Sequence, residues 1–403
     1  MRFGLFYELQ LPKPWNDGDE HRLVQEAIEQ VILADKLGIE HAWAVEHHFL
    51  DEYSHCSASD VFLTALAAKT EKIRVGFGIR QVIPKYNPPA RTAETVAMMD
   101  LISNGRVEFG IGESATRMEL GGFGIRGKEK RALALEAAEQ IANMMVMDPY
   151  PGYEGVGFSM PARNVLPKPL QKPHPPMWMA CTNRSTIETA ARNGLGALAF
   201  SFVDPDEAHR WAKAYYDIIQ SEECVPISHV VNANIAMVAP FSLHDDRDQA
   251  VERGIHGFRF FNYAMRALVE QDTVPGRTTL WQDYMAQAKA KPLTRKAPGI
   301  GTPEEFGDLV RAYDEVGVDQ VIFLQQGGLN RHEHICESIE LFAERVLPEF
   351  SAARDAKEAE KAERLAPAVA AAMARKNFMA ELADEDIPPV RASVQKAQIY
   401  DKK

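Results

Sequence analysis

The feature that most restricts the fold of this chain is an alternation along the sequence, in which a short apolar run is followed by a stretch with helical spacing, eight times over. The first run covers residues 2–7, the last covers residues 319–325, and one additional helical stretch lies between the seventh and eighth runs. Alternating strands and helices predict a parallel sheet with crossover helices. Eight such units over about 350 residues predict an α/β protein built as a closed (β/α)8 TIM barrel. A doubly wound open sheet competes, but no G-x-G-x-x-G motif follows the first run.

Two irregular segments interrupt the alternation, at residues 148–176 and 266–301. The first is rich in proline and glycine, and the second carries Trp281 and Tyr284, which suit an apolar substrate. Long irregular insertions in a compact domain serve either as lids over a functional mouth or as surface elaboration. The sequence leaves both interpretations open.

The composition changes after Pro348. Residues 352–376 are dominated by Ala, Glu, Lys and Arg, which predicts a polar helix outside the barrel. This helix is interpreted either as an arm on a neighbouring subunit or as a solvated tail, and residues 387–403 are expected to be poorly ordered. We therefore divide the chain into a barrel domain, residues 1–348, and a helical, partly disordered extension, residues 349–403.

Charge and cysteine content exclude several classes of function. The formal net charge of −12 argues against nucleic acid or an anionic membrane surface as a partner. No apolar stretch approaches the roughly 20 residues that span a bilayer, and the first residues do not resemble a signal peptide. The four cysteines form no CxxC pair, so we predict no disulfide framework, no metal site and a cytoplasmic location.

Functional residues of such barrels lie where the strands end. The second run ends at Glu46-His47-His48, and since neighbouring side chains of an extended chain point in opposite directions, only one histidine can face the mouth. An imidazole there could donate a proton to an oxygen or remove one, and a purely structural histidine is the alternative that stays open. The fourth run ends at Gly112-Glu113-Ser114. Gly112 and Ser114 are cofactor-binding candidates, because glycine lets a backbone approach a flat ligand, and a tight turn is the alternative.

The fifth run ends in a group of small polar residues that opens a helix and includes Asn183, Ser185 and Thr186. Hydroxyl groups and free backbone N–H groups at a helix N-terminus can bind a phosphate. Without a known phosphate, a plain helix N-cap is the stronger interpretation for Asn183 or Ser185. Arg131, early in the helix after the fourth run, could add a positive charge to the same site.

Several of these segments together resemble the bacterial luciferase-like flavin monooxygenases. The similarity covers residues 1–348 in order, and the E-H-H-F element combined with D-L-I-S-N-G-R and the later F-G is its most specific part. It extends to the opening R-F-G-L-F-Y, to P-P-M-W-M-A before the fifth strand end, and to G-T-P-E-E-F before the last strand. Each of these motifs alone is weak.

The resemblance implies a (β/α)8 barrel that binds reduced FMN, supplied by a separate flavin reductase, at its mouth. The reduced flavin reacts with O2 to form a flavin 4a-hydroperoxide, which oxygenates a small hydrophobic substrate, and a homodimer is expected. His47 falls on the active-site histidine of that family, and Arg131, Ser185 and Thr186 fall on groups that contact the phosphate. Gly78-Ile79 falls near a non-proline cis peptide that lies against the flavin ring.

One residue departs from the family pattern. After F-G-I-G the family usually has an arginine that helps hold the phosphate, whereas this chain has Glu113. Two other functions therefore stay open: hydride transfer with a deazaflavin coenzyme in the same barrel, and a non-catalytic partner subunit of a luciferase-like heterodimer. Glu113 favours the partner subunit weakly, while His47 and Arg131 argue against it.

Overall fold

The structure, a computed structural model, describes residues 1–290 and 297–390 and contains a closed barrel of eight parallel strands. In chain order the strands are β1 (Arg2–Tyr7), β2 (His41–Val45), β3 (Arg74–Gln81), β4 (Val107–Gly112), β5 (Tyr150–Glu154), β6 (Ser159–Arg163), β7 (Met177–Cys181), β8 (Gly196–Ala199), β9 (Ile235–Pro240), β10 (Ser242–Leu243), β11 (Ile300–Gly301) and β12 (Gln320–Leu324). The barrel order is β1-β12-β9-β8-β7-β4-β3-β2, while β5–β6 and β10–β11 form separate two-stranded sheets. The predicted TIM barrel is confirmed, and the open sheet is excluded because β1 pairs with both β2 and β12.

The helices surround this barrel and follow the predicted alternation. They are α1 (Asp19–Leu37), α2 (Ser59–Lys69), α3 (Pro89–Ile102), α4 (Arg117–Gly122), α5 (Lys130–Val146), α6 (Arg184–Arg192), α7 (Pro205–Ile219), α8 (Arg247–Glu270), α9 (Leu280–Ala290), α10 (Pro303–Glu315), α11 (His332–Arg345) and α12 (Leu347–Arg375). The sequence analysis did not predict α4 or α9 as helices, nor the β5–β6 hairpin. No described helix is long and apolar enough to cross a bilayer.

Alternation of side chains along each strand divides the core into two layers. Phe3 and Tyr7 of β1 face outwards, where their rings contact Phe342 of α11 and Phe62 of α2. The intervening Phe6 belongs to a second cluster that includes Trp43 and fills the barrel interior. Because side chains alternate between the two faces of a strand, a residue two positions after the last inward-facing residue also points inward. Residues just beyond the strand ends are placed at the mouth of the barrel in this way.

Gly110 in β4 illustrates how closely the strands pack. A Cβ atom at this position would lie 2.1 Å from the backbone carbonyl oxygen of Phe77 in β3, which cannot rotate away. We expect Gly110→Ala to lower the free energy of unfolding by at least about 2 kcal/mol, measured by chemical denaturation. Gly121→Ala is the control, since nothing lies within 4 Å of a Cβ there. Equal stability of the two variants would contradict this interpretation of the β3–β4 contact.

The polar helix predicted after the barrel corresponds to α12, which begins at Leu347 and packs on its own chain. Lys361 Nζ donates to Asp319 Oδ1 at 2.6 Å, next to the start of β12, and Arg2 at the start of β1 pairs with Glu358 at 2.5 Å. The helix therefore lies across the N-terminal ends of the barrel strands, opposite the mouth. The end of the proposed extension, residues 391–403, lies outside the described residues.

Candidate active site

A cavity opens at the carboxyl ends of the barrel strands, where the sequence analysis placed the functional residues. It contains about 870 Å³ of empty space, counting its open mouth. Glu8 and His47 continue the inward-facing rows of β1 and β2, and Gly112, Ala180 and Phe200 line it from β4, β7 and the end of β8. The remaining lining side chains are mostly apolar and include Leu50, Tyr53, Ile79, Phe261, Met265, Leu268 and Val269.

His47 is the centre of the charged groups in this cavity. Its Nδ1 lies 3.0 Å from Oε1 of Glu119, and its Nε2 lies 3.8 Å from Oε2 of Glu8. His48 points the other way and bonds Oε1 of Glu46 through its Nε2 at 2.9 Å. One histidine of the pair thus faces the mouth, and it does so between two buried carboxylates.

The two carboxylates shift the protonation of the imidazole. Burial alone would lower the pKa of His47, but the charges of Glu8 and Glu119 outweigh it and raise this pKa to about 9. Burial also raises the pKa of Glu8 to about 7, although His47 and the Tyr53 hydroxyl oppose the shift. His47 is therefore a cation at neutral pH, with proton donors on both ring nitrogens.

Glu119 is held as a carboxylate by a set of donors around it. Its Oε2 accepts from Ser114 Oγ at 2.7 Å and Thr116 Oγ1 at 2.8 Å, and its Oε1 accepts from the backbone N–H of His48 at 3.1 Å. Burial opposes ionisation, yet His47 and these donors lower the pKa of Glu119 to about 2. Ser114, a candidate for cofactor binding, lines the cavity at a φ of 60° with its hydroxyl committed to Glu119.

Glu113, which stands where the family usually has an arginine, lies at the rim of the cavity. Arg131 donates to Glu113 through two parallel bonds, Nε to Oε2 at 2.6 Å and Nη2 to Oε1 at 2.8 Å. Lys130 lies 3.5 Å from Glu113 and donates to the carbonyl oxygen of Ser114. Glu113 thus neutralises the arginine that was assigned to a phosphate.

The three polar candidates after β7 form the start of α6. Asn183 is its N-cap and accepts from the backbone N–H of Thr186 at 3.1 Å, while Thr186 Oγ1 accepts from the backbone N–H groups of Thr182 and Asn183. Thr186 also donates to the carbonyl of Asn183 and is buried, so both side chains serve the helix end. Ser185 is exposed beside them. Thr182, the residue before this N-cap, lines the cavity, so the start of α6 lies next to it.

The backbone near Gly78-Ile79 differs from the expectation. The described residues contain four cis peptide bonds and all of them precede proline, so no cis bond lies near this pair. The pairing register shifts instead between Phe77 and Arg80 and again opposite Ala44, which is the signature of a β-bulge. Ile79 then lines the cavity, and its side chain would contact a Cβ at Gly112 at 2.3 Å.

The two insertions lie outside this cavity in different ways. The β5–β6 hairpin packs on α5, where Glu136 accepts from the backbone N–H groups of Val156 and Gly157, and residues 148–176 do not line the cavity. This packing favours surface elaboration over a lid for that segment. In the described part of the second segment, only residues 268 and 269, at the end of α8, line the cavity. Trp281 and Tyr284 pack on Phe260 instead. Residues 291–296 lie outside the described residues.

Comparison with known families gives the same assignment as the sequence motifs. The family model described as luciferase-like monooxygenase matches residues 1–320. The chain belongs to this family. Its class is therefore that of the flavin-dependent monooxygenases, and the barrel that carries the cavity is the part of the chain that the family model matches.

Two relatives match most of the length of this chain. The oxygenase component of a flavin-dependent trigonelline monooxygenase from Acinetobacter baylyi is 26% identical over 363 residues, which is 87% of this chain and 96% of the relative. A crystal structure of a monooxygenase from Streptomyces bottropensis has a TM-score of 0.70 and 26% identity, covering 87% of this chain and 100% of that chain.

Two more distant structures share the luciferase-like fold at 16% identity. One is the oxygenating constituent of a 3,6-diketocamphane monooxygenase from Pseudomonas putida in complex with FMN, with a TM-score of 0.67. The other is an F420-dependent secondary alcohol dehydrogenase, with a TM-score of 0.63. Their coverage is 86% of this chain and 98% of theirs, and at this identity they establish the fold alone.

Sequence reasoning missed three charged residues of the site. Glu8 directly follows the first predicted strand, so the strand-end rule applied to His47 could have found it. Glu119 lies in α4, which was not predicted, and no motif marks it. Lys130 stands beside the assigned Arg131, but only the structure shows that its side chain lines the cavity.

Proposed function

We propose that the protein is the oxygenase of a two-component system, which uses reduced FMN from a separate reductase and O2 to oxygenate a small hydrophobic substrate. The observation that carries the proposal is the position of His47, between two buried carboxylates that raise the pKa of its imidazole, in a mostly apolar cavity at the barrel mouth. The Acinetobacter relative is an oxygenase component, which supports a separate reductase as partner.

The lining suits the two ends of the cofactor differently. The surface formed by Gly112, Ile79, Ala180 and Phe200 offers apolar contact for a ring system. Lys130 lines the cavity, Arg131 pairs with Glu113 of the same lining, and Ser185 is exposed at the start of α6, so a phosphate bound at this edge would gain cationic partners. We propose these residues as the FMN contacts, while the hydroxyl of Thr186 and the side chain of Asn183 support the helix end.

Reduced FMN, when bound, supplies the electrons that activate O2. His47 holds its proton at Nε2 and can donate it to an oxygen atom in the cavity, while Glu119 fixes the ring orientation through Nδ1. Phe261, Met265 and Leu268 of α8 line the cavity with apolar groups. An apolar lining is poorly hydrated, which would help to protect reactive oxygen from release as H2O2.

Oxygen consumption tests this function against hydride transfer. The purified protein is mixed under air with reduced FMN or with the reduced deazaflavin coenzyme, and candidate substrates are added. Substrate-dependent O2 uptake with incorporation of oxygen only in the FMN arm is expected. Product formed only with the deazaflavin would overturn the proposal. A titration with reduced FMN covers the third possibility, since a non-catalytic subunit would show no binding at micromolar concentrations.

The raised pKa of His47 predicts the alkaline limit of the activity. A proton held with a pKa of about 9 is present throughout neutral pH and is lost as the pH rises through 9, so the oxygenated product per reduced flavin should fall there. Glu119→Gln removes one of the two anions that raise this pKa, so the limit should move down by about one pH unit. We expect the pH profile to show this shift, and an unchanged profile would exclude Glu119 as the residue that positions the proton.

We further propose a cytoplasmic homodimer. Four large apolar side chains are exposed at the end of α3 and on the neighbouring segment before β7, namely Met98, Leu101, Ile102 and Leu166, and three of them line one groove. A second copy of the chain would remove this stripe from water, since contiguous exposed apolar surface marks an interface. Light scattering after gel filtration measures the mass. The four cysteines are free thiols, which supports a reducing compartment.

A further inference from the structure

Among the described residues that line the cavity, Glu8 is a carboxylate that has one oxygen without a hydrogen-bond partner, and this oxygen lies on the side of His47. The residue is only 2% exposed, and its Oε1 accepts from the Tyr53 hydroxyl at 3.0 Å. Its Oε2 is buried without a hydrogen-bond partner. A buried carboxylate oxygen left without a donor is costly, so it indicates a position where a ligand group completes the site.

A hydrogen-bond donor, the Nε2 atom of His47, lies near this oxygen. His47 Nε2 lies 3.8 Å from Glu8 Oε2, too far for a direct hydrogen bond, while its Nδ1 is already bonded to Glu119. Two atoms at this separation can both reach one bridging atom at ordinary hydrogen-bond distances. That atom must accept from His47 and donate to Glu8. A hydroxyl oxygen does both, whereas an ether or carbonyl oxygen can only accept.

The surroundings define the group that carries the hydroxyl. The rings of Tyr53, Phe200 and Phe261 and the side chain of Leu50 line the same cavity. Phe261 lies with its ring centroid 5.5 Å from that of Tyr53, so the wall beside Glu8 is aromatic. Flat aromatic ligands pack favourably against such rings.

We propose that Glu8 and His47 together recognise the hydroxyl group of an aromatic substrate, which makes Glu8 a specificity-determining residue for a phenol. The phenolic oxygen accepts from His47 Nε2 and donates to Glu8 Oε2, and the ring lies against Phe200 and Phe261. This inference rests on the proposed function, because it names the substrate class of the same cavity.

Binding of three probes to the full-length protein without flavin tests the proposal. The probes are 4-cresol, 4-methylanisole, which has the oxygen without its hydrogen, and toluene, measured by calorimetry at about pH 8. Cresol keeps its hydroxyl hydrogen there because phenols ionise near pH 10. We expect cresol to bind at least about tenfold more tightly than either analogue, since a hydrogen bond to a charged group contributes this much.

Two variants locate the preference. In Glu8→Gln the amide oxygen can still accept from the Tyr53 hydroxyl, so the NH2 group takes the place of Oε2. The preference for cresol over 4-methylanisole should then fall below about threefold. Glu8→Leu removes the acceptor entirely and should do the same, and thermal unfolding checks that each variant folds. Glu129→Gln is the control for the loss of a carboxylate and should keep the cresol preference, because Glu129 is exposed, pairs with Arg126 and does not line the cavity.

The outcomes separate this inference from the proposed function. Equal affinity of the wild type for cresol and 4-methylanisole overturns the inference, even if neither Glu8 variant folds, and so does a preference that survives in a folded Glu8 variant. Neither result bears on the oxygen-uptake experiment with reduced FMN. Conversely, a cresol preference that depends on Glu8 stands even if that experiment fails.

Discussion

Replacing His47 with glutamine is expected to lower the yield of oxygenated product per reduced flavin about a hundredfold, with the missing electrons recovered as H2O2. Glutamine has similar reach but no positive charge, so it cannot supply the proton that His47 holds between Glu8 and Glu119. The fold should survive. Glu119 retains three hydrogen-bond donors, and Glu8, whose pKa is already about 7, can take up a proton. Parallel measurement of product and peroxide after single turnovers checks the expectation.

His48→Gln provides the matched control. The two histidines are neighbours in sequence, yet the side chain of His48 bonds Glu46 and does not line the cavity. We expect this variant to keep the wild-type ratio of product to peroxide. If His47→Gln also kept it, the imidazole would have no part in proton donation, and the proposed role of the cation would fail.

The barrel could be predicted from the sequence because its signal is repeated and local. Each strand carries an apolar run, and the predicted run at residues 2–7 coincides with β1. The start of a helix with a capping residue is an equally local feature. Thr302 and Glu305 form the capping box at the start of α10, as the Thr-Pro-Glu-Glu sequence indicates. Such features depend on neighbouring residues only.

The charge network of the site could not be predicted in the same way. His47 and Glu119 are 72 positions apart and meet only because α4 lies over the end of β2. That helix has six residues and no periodicity to reveal it. The cis peptide assigned near Gly78-Ile79 was carried over from a family, and the strand accommodates its irregularity there as a bulge. Interactions between distant positions thus limit what spacing alone can give.

The sequence has Glu113 where the family usually has an arginine, and the structure predicts how this carboxylate affects the binding of FMN. The carboxylate occupies both donors of the Arg131 fork and lies 3.5 Å from Lys130. A phosphate makes the same bidentate contact with arginine, so it must compete with Glu113 and meet its negative charge. Glu113→Gln should therefore tighten the binding of reduced FMN about tenfold, and not more, because Arg131 is partly exposed and solvent screens its charge.

Riboflavin makes this expectation specific to the phosphate. It has the same ring system without the phosphate, so its affinity should not change in Glu113→Gln, and the gain seen with FMN should shrink as salt is added. Glu129→Gln is the control for a change of charge nearby, because Glu129 is 3.8 Å from Arg126 and both side chains are largely exposed. An equal gain for FMN and riboflavin would show that Glu113 acts on the ring. No gain for FMN would show that the phosphate does not bind at Arg131, and the cofactor-binding role proposed for this residue would then be wrong.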